Sequence, residues 1–154
     1  MKSTILKFGS YGLLTGFIIF MLHLFFGIDK LDLATNEILG YVSIFLSLSF
    51  IFFGIKHYRD KENDGFITLG KAIKIGLAIS VLVAFGVSIA DFMYTKFINP
   101  DFFANYEQQL IDQGREDEIM KMTSTIAAMF MLVLVTIIGF IISLISGVIL
   151  QRKP

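Results

Sequence analysis

His23 and Asp91 stand inside long apolar stretches that are otherwise almost free of charge, and Glu37 opens a third such stretch. An ionisable side chain in hydrocarbon is costly unless it is paired, hydrated or put to use. A His, an Asp and a Glu on neighbouring helices can relay protons, bind a cation or hold a polar headgroup. The competing reading is that all three lie near the membrane interface and are hydrated. Asp91 comes just before Phe92 and Tyr94, an aromatic interfacial pattern, and this plainer reading is the preferred one.

Other chemistry is hard to find. There is no cysteine, which removes disulfides, thiolate metal sites and a Cys nucleophile. The sequence has no glycine-rich phosphate loop, nucleophile elbow or paired-His metal motif, and His57 alone in a charged loop reads as solvated. No catalytic, cofactor-binding or metal-ligating residue is assigned. Lys71 and Lys74 lie one turn apart beside apolar positions, where they are candidates for contact with anionic lipid headgroups; a simple electrostatic anchor is preferred.

Small residues recur every four positions. They are Gly12 and Gly16, then Ser43 and Ser47, then Ala72, Gly76, Ser80, Ala84 and Ser88, then Gly139, Ser143 and Gly147. Such stripes let helix backbones approach closely in lipid, where no hydrophobic force joins helices. Packing within one bundle is preferred over a seam between copies.

The elements that carry these residues follow from hydropathy. Hydrophobic residues make up 55% of the chain, more apolar surface than a soluble domain of this size can bury, so the surplus faces lipid. A bilayer core about 30 Å thick needs about 20 apolar helical residues to cross. Four runs qualify: residues 11–28, 38–55, 73–92 and 126–150. A transmembrane barrel would need short strands of alternating polarity, and these runs are continuously apolar. The first run has the basic start of a signal peptide, but residues 29–32 offer no small-x-small cleavage site, so it is expected to stay as an anchor.

Lys2, Lys7, Lys56, Arg59, Lys61, Lys71, Lys74, Arg152 and Lys153 fall on one side of the four runs. Lys30, Lys96, Arg115 and Lys121 fall on the other, among many acids. The positive-inside rule then predicts both termini in the cytoplasm. Equal numbers of acidic and basic residues give no reason to expect a nucleic-acid partner. The expected partners are the bilayer, further copies of the chain or other membrane proteins.

The connections carry their own signals. Residues 29–36 are short enough for a hairpin, with Thr35 or Asn36 as helix cap and Glu37 in the first turn. Residues 57–65 mix charges, end in an Asp-Gly turn and read as solvated. In the long connection before the last run, Asn99-Pro100 reads as a helix start and Gly114 as a stop. Phe103, Tyr106 and Leu110 share one face between them, which predicts an amphipathic helix on the outer surface or across the bundle mouth. A second helical stretch from Arg115 is expected to run straight into the fourth span.

Several blocks are more specific than hydropathy requires: Glu37-Ile-Leu-Gly-Tyr-Val-Ser43, Leu48-Ser-Phe-Ile-Phe-Phe-Gly-Ile-Lys56, Tyr58-Arg-Asp-Lys61, the stretch from Gly65 to Gly76, and Ile98-Asn-Pro-Asp-Phe102. With them the chain resembles, over nearly its whole length, a membrane family called domain of unknown function 4199, found mostly in Bacteroidota. The resemblance implies a four-span inner-membrane protein and no particular activity. The expected fold is all-α: one domain over residues 1–154, four transmembrane helices in an antiparallel bundle, and a short amphipathic helix between spans three and four. The leading expectation for function is a non-enzymatic accessory or interaction protein. The alternatives are an oligomeric small transporter or channel subunit with a polar path near Asp91 and His23, and a membrane-embedded lipid-modifying enzyme.

Overall fold

The computed structural model describes residues 1–27 and 31–152. Among them are six α-helices: α1 (Lys2–Gly27), α2 (Leu33–Leu48), α3 (Phe50–His57), α4 (Leu69–Met93), α5 (Phe102–Asp112) and α6 (Ser124–Leu150). Four helical stretches are long and apolar enough to cross a membrane: α1, α2 with α3, α4 and α6. The fold is thus an all-α transmembrane bundle, with α5 as the short amphipathic helix between the third and fourth spans. Ile28, Asp29, Lys30 and Lys153, which enter the reading of the first span, the first hairpin and the charge balance, lie outside the described residues.

The helices start earlier than hydropathy alone marks, because polar caps sit beyond the apolar runs. α2 is capped by Asp32, whose carboxylate accepts from Thr35 N at 3.2 Å and from the Thr35 hydroxyl at 2.9 Å. Neither Thr35 nor Asn36 is the cap, and Glu37 lies one turn further in. Thr68 and Thr123 cap α4 and α6 in the same way. α5 begins at Phe102 with Asp101 before it; Pro100 belongs to the preceding turn, not to the first helical position. Gly114 ends this region with φ +70°, a left-handed conformation that glycine adopts without strain. After it comes only a 3₁₀ turn, Glu116–Glu118. Residues 119–123 are non-helical, so the run from Arg115 does not continue into α6.

The second span is interrupted at Ser49, whose hydroxyl bonds back to Leu46 O at 2.6 Å. It then extends past His57 through a π-helical turn, Tyr58–Glu62. Tyr58 and Arg59 are therefore buried, and this part of the charged connection is not solvated as its composition suggests. The guanidinium of Arg59 grips Asp60 and reaches Leu150 O at 3.4 Å. Paired backbone bonds between Ile67 and Arg152 fasten the end of the chain to the start of α4. The Asp-Gly turn at Asp64 and Gly65 has positive φ at both residues.

Successive spans alternate in direction, yet the first and third, which run parallel, pack on one another. A Cβ on Gly12 would meet Val83 at 2.5 Å and one on Gly16 would meet Val87 at 3.2 Å. α4 is the centre, with α1 on one side and α6 on the other. α3 closes onto α1, α4 and α6, whereas α2 lies mainly against α1 and barely touches α4 or α6. The end of the bundle holding the termini is therefore filled, by Ile51, Ile55, Ile75 and Ile79 among others. The opposite end is splayed.

Candidate functional site

The splay between α2 and α6 leaves a cavity of about 300 Å³. α1 supplies Phe20, His23 and Leu24; α2 supplies Leu33, Asn36, Glu37, Gly40, Tyr41 and Ile44. Asp91 comes from α4, and Phe130, Met131 and Leu134 come from α6. Phe102, Asn105, Tyr106 and Gln109 of α5 form the roof. A second space of about 670 Å³ lies on the other side of α5, and Asp91, Phe102, Tyr106, Phe130 and Met131 border both. His23, Glu37 and Asp91, singled out from three separate stretches of sequence, thus face one chamber.

They do not form one cluster within it. Among the described residues no group of three His, Asp or Glu side chains is close enough to hold a metal ion. Glu37 is spoken for: its Oε1 accepts from Tyr106 OH at 3.4 Å and from Arg115 Nη2 at 3.3 Å. Arg115 in turn makes a two-pronged pair with Glu118, at 2.8 and 2.7 Å. That pairing holds the Arg115 guanidinium above its usual range and the Glu118 carboxyl below its own. Burial, then the charge of Glu37, pushes the Tyr106 phenol up. This polar strap ties α2 to α5 and to the turn behind it.

An aromatic chain fixes the roof from the other side. Phe25 meets Tyr94 edge-on, Tyr94 meets Phe102 likewise, and Phe102 stacks on Tyr106 with centroids 6.2 Å apart. Tyr94 begins a π-helical turn at the end of α4, Tyr94–Ile98, that buries both Tyr94 and Thr95. Such turns displace side chains from the regular helical register and recur at functional sites. Leu110, only 2% exposed, seats the far end of α5.

Among the described residues His23 and Asp91 have no such partners. Asp91 is 7% exposed and its Oδ2 makes no hydrogen bond; both ring nitrogens of His23 are buried without one. The His23 ring leans on Gly40, where a Cβ would come within 3.4 Å of Cε1, and packs edge-on to Phe20 at 5.8 Å. Asn36 Oδ1 is also buried and unpartnered, while its Nδ2 donates to Leu31 O at 3.2 Å. The amide orientation is therefore fixed, because a carbonyl can only accept. Ser88 Oγ, one turn before Asp91, is likewise without a partner. The asparagine, Tyr106 and Arg115 escape a reading of sequence. Asn36 looks like a cap, Tyr106 like part of an amphipathic face and Arg115 like one more loop charge.

The small-residue positions serve the filled end and the α1–α4 contact. A Cβ on Gly76 would lie 2.6 Å from Ser143 Cβ, one on Gly139 2.9 Å from Ser80 Oγ, and one on Gly147 3.3 Å from Ala72 Cβ. Gly12 and Gly16 approach the second span at Ser47 as well as α4. Ser43, Ser47, Ser80 and Ser143 return their hydroxyls to carbonyls of their own helices. Ala84 is fully buried and Ser88 nearly so. Lys71 and Lys74 border a third hollow, of about 660 Å³, together with Arg152. There the Lys71 ammonium sits 5.3 Å from the centre of the Tyr58 ring, a cation–π contact.

Fold and site together define a four-span helical membrane protein with a roofed, mostly apolar chamber at one end. The family model described as "Protein of unknown function (DUF4199)" matches residues 7–152, and the chain belongs to that family. Comparisons with curated proteins and with solved structures returned no match.

Proposed function

We propose that the chain is a non-enzymatic binding protein of a bacterial inner membrane, built as one domain over residues 1–154 with both termini in the cytoplasm. Its chamber, on the outer side, takes up an amphiphile from the lipid phase. The chamber between α2 and α6 carries this reading. Its walls are apolar, it lies where two neighbouring spans fail to close, and unpartnered polar atoms wait inside it. Ligand sites share this design of apolar walls with a few placed polar groups. A nucleophile aligned by a hydrogen-bonded base would favour catalysis, but among the described residues no hydroxyl hydrogen-bonds to a His23 nitrogen. A transport path would have to continue past Leu48, Ile51, Ile79 and Val83, which have no exposed surface and fill the middle of the bundle. A lone four-helix bundle leaves little room for a pore.

Photolabelling of the full chain in nanodiscs by a lipid with an alkyl diazirine in its chain tests the proposal. Labels are expected to concentrate on Leu24, Ile44, Met131 and Leu134, and Leu134→Trp, which fills the chamber, should remove them from the other three. Labels spread evenly over outward residues such as Ile145 and Val148 would sink the reading.

A further inference from the structure

We infer that the chamber selects an amphiphile whose head carries a primary ammonium group. This rests on the reading of the chamber as a lipid-phase binding site and adds the chemistry of its ligand.

The chamber walls hold buried polar atoms without full hydrogen bonds. Asp91 Oδ2 and Asn36 Oδ1 are acceptors, buried and without partners. A neutral imidazole offers one acceptor and one donor; neither His23 nitrogen reaches full hydrogen-bond geometry, and Asn36 is the polar neighbour beside the ring. Tyr106 OH and Arg115 go to Glu37 and Glu118, and Asn36 Nδ2 goes to Leu31 O, while the Asn105 and Gln109 amides and the Tyr41 hydroxyl also line the chamber. Among the described residues no lysine or arginine borders the chamber between α2 and α6, and Asp91 makes no ion pair, although Lys121 lines the space beyond α5 that Asp91 also borders. What stands out is a buried acid that no ion pair compensates.

A buried carboxylate without an ion pair is strongly disfavoured, and a cationic head between Asp91 and Asn36 relieves it. A primary ammonium has three N–H donors and no acceptor, which suits Asp91 Oδ2 and Asn36 Oδ1. A carboxylate or phosphate head would meet Asp91 with like charge. A quaternary ammonium has the charge but no N–H to give. The opening between α2 and α6 leaves the tail in the bilayer while Phe20, Leu24, Ile44 and Leu134 surround the part next to the head.

Competition against the alkyl diazirine probe tests this with the full chain in phosphatidylcholine nanodiscs. The competitors are dodecylamine, dodecanol and dodecanoate, which share one tail. The amine is expected to displace the probe at least tenfold more effectively than either of the others, and Asp91→Asn should bring it to the level of the alcohol. Equal competition by all three, a lead for the carboxylate, or an amine advantage that survives in folded Asp91→Asn would overturn the ammonium assignment and leave the binding reading standing. Failure of all three to displace the probe would overturn both. If Asp91→Asn does not fold, the ranking in the unmodified chain still decides, with Asn36→Leu as the second variant, expected to narrow the amine's lead.

A further arm separates two sources of the head. Probe displacement by added phosphatidylethanolamine over added phosphatidylcholine assigns it to a bilayer lipid. Equal weak displacement by both lipids, with the amine lead intact, assigns it to a free alkylamine. Either outcome supports the ammonium class.

Discussion

The two ends of this bundle are made of similar residues and behave differently. At the end holding the termini, α3, the first half of α4 and the second half of α6 meet through Gly76, Ser80, Gly139 and Ser143, and the hydroxyls there turn back onto their own helices. At the other end α2 leans on α1, α5 closes the top, and His23, Asn36 and Asp91 keep polar atoms that bond to nothing. Where backbones come close, no room is left and each small polar side chain must satisfy itself. Where they diverge, a longer polar side chain can reach into a space and wait for a partner from outside. Helix separation, more than residue type, decides which polar groups are structural and which are available.

If packing at the filled end carries the stability, the largest loss should come from emptying it. Ile79 has no exposed surface, and Ile79→Ala should cost about 2–5 kcal/mol. It would be read as a lowered unfolding midpoint in detergent. Leu134→Ala, which enlarges a space already present, should cost clearly less; equal losses would erase the contrast between the ends.

Overfilling gives the next largest effect. Gly139→Val pushes methyl groups into Ser80 and should cost about 1–3 kcal/mol. Gly40→Ala at the open end meets only the His23 ring at ordinary contact distance and should stay within about 0.5 kcal/mol. The same unfolding measurement compares them, and an intolerant Gly40 would mean that the open end is packed after all.

The smallest effect concerns the strap. Arg115→Ala should leave the unfolding midpoint nearly unchanged while the amides of α5 exchange faster with deuterium, since exposed ion pairs contribute little to global stability. The pairing with Arg115 lowers the Glu118 carboxyl. Its contribution is therefore fully present above the unfolded-state value and is lost only as pH falls through the lowered folded value. Exchange of α5, corrected for the intrinsic rate, should stay slow above the ordinary glutamate range and quicken as pH falls from there through the lowered value. Loosening at neutral pH would place the hold on α5 elsewhere, in Phe102 and Leu110.

The spans were legible because lipid imposes a length and a composition that no other environment demands, and four runs of sequence meet them. Gly114 was legible as a stop, and Phe103, Tyr106 and Leu110 as one face of a helix, because both rules act within a few residues. The π turns after His57 and Met93 were not, since a change of helical register leaves no mark in apolar periodicity. The break after Arg115 was missed for a related reason: Thr123 caps α6 locally, in competition with a longer helix that composition alone would allow. His23, Glu37 and Asp91 could be recognised as unusual one at a time. That Glu37 would turn to Arg115 while the other two stayed open could not be foreseen, because it depends on where α5 and its following turn come to rest.

By itself the sequence determined that this chain crosses a membrane four times and carries an amphipathic helix between its last two spans, because hydrocarbon thickness and backbone satisfaction act segment by segment. Only the tertiary structure decided that the first and third spans lie side by side, and that α2 stands apart from α6 with a roofed space between them. Helix neighbours in lipid are chosen by the fit of one surface to another, and that fit is a property of pairs of helices that no single stretch contains.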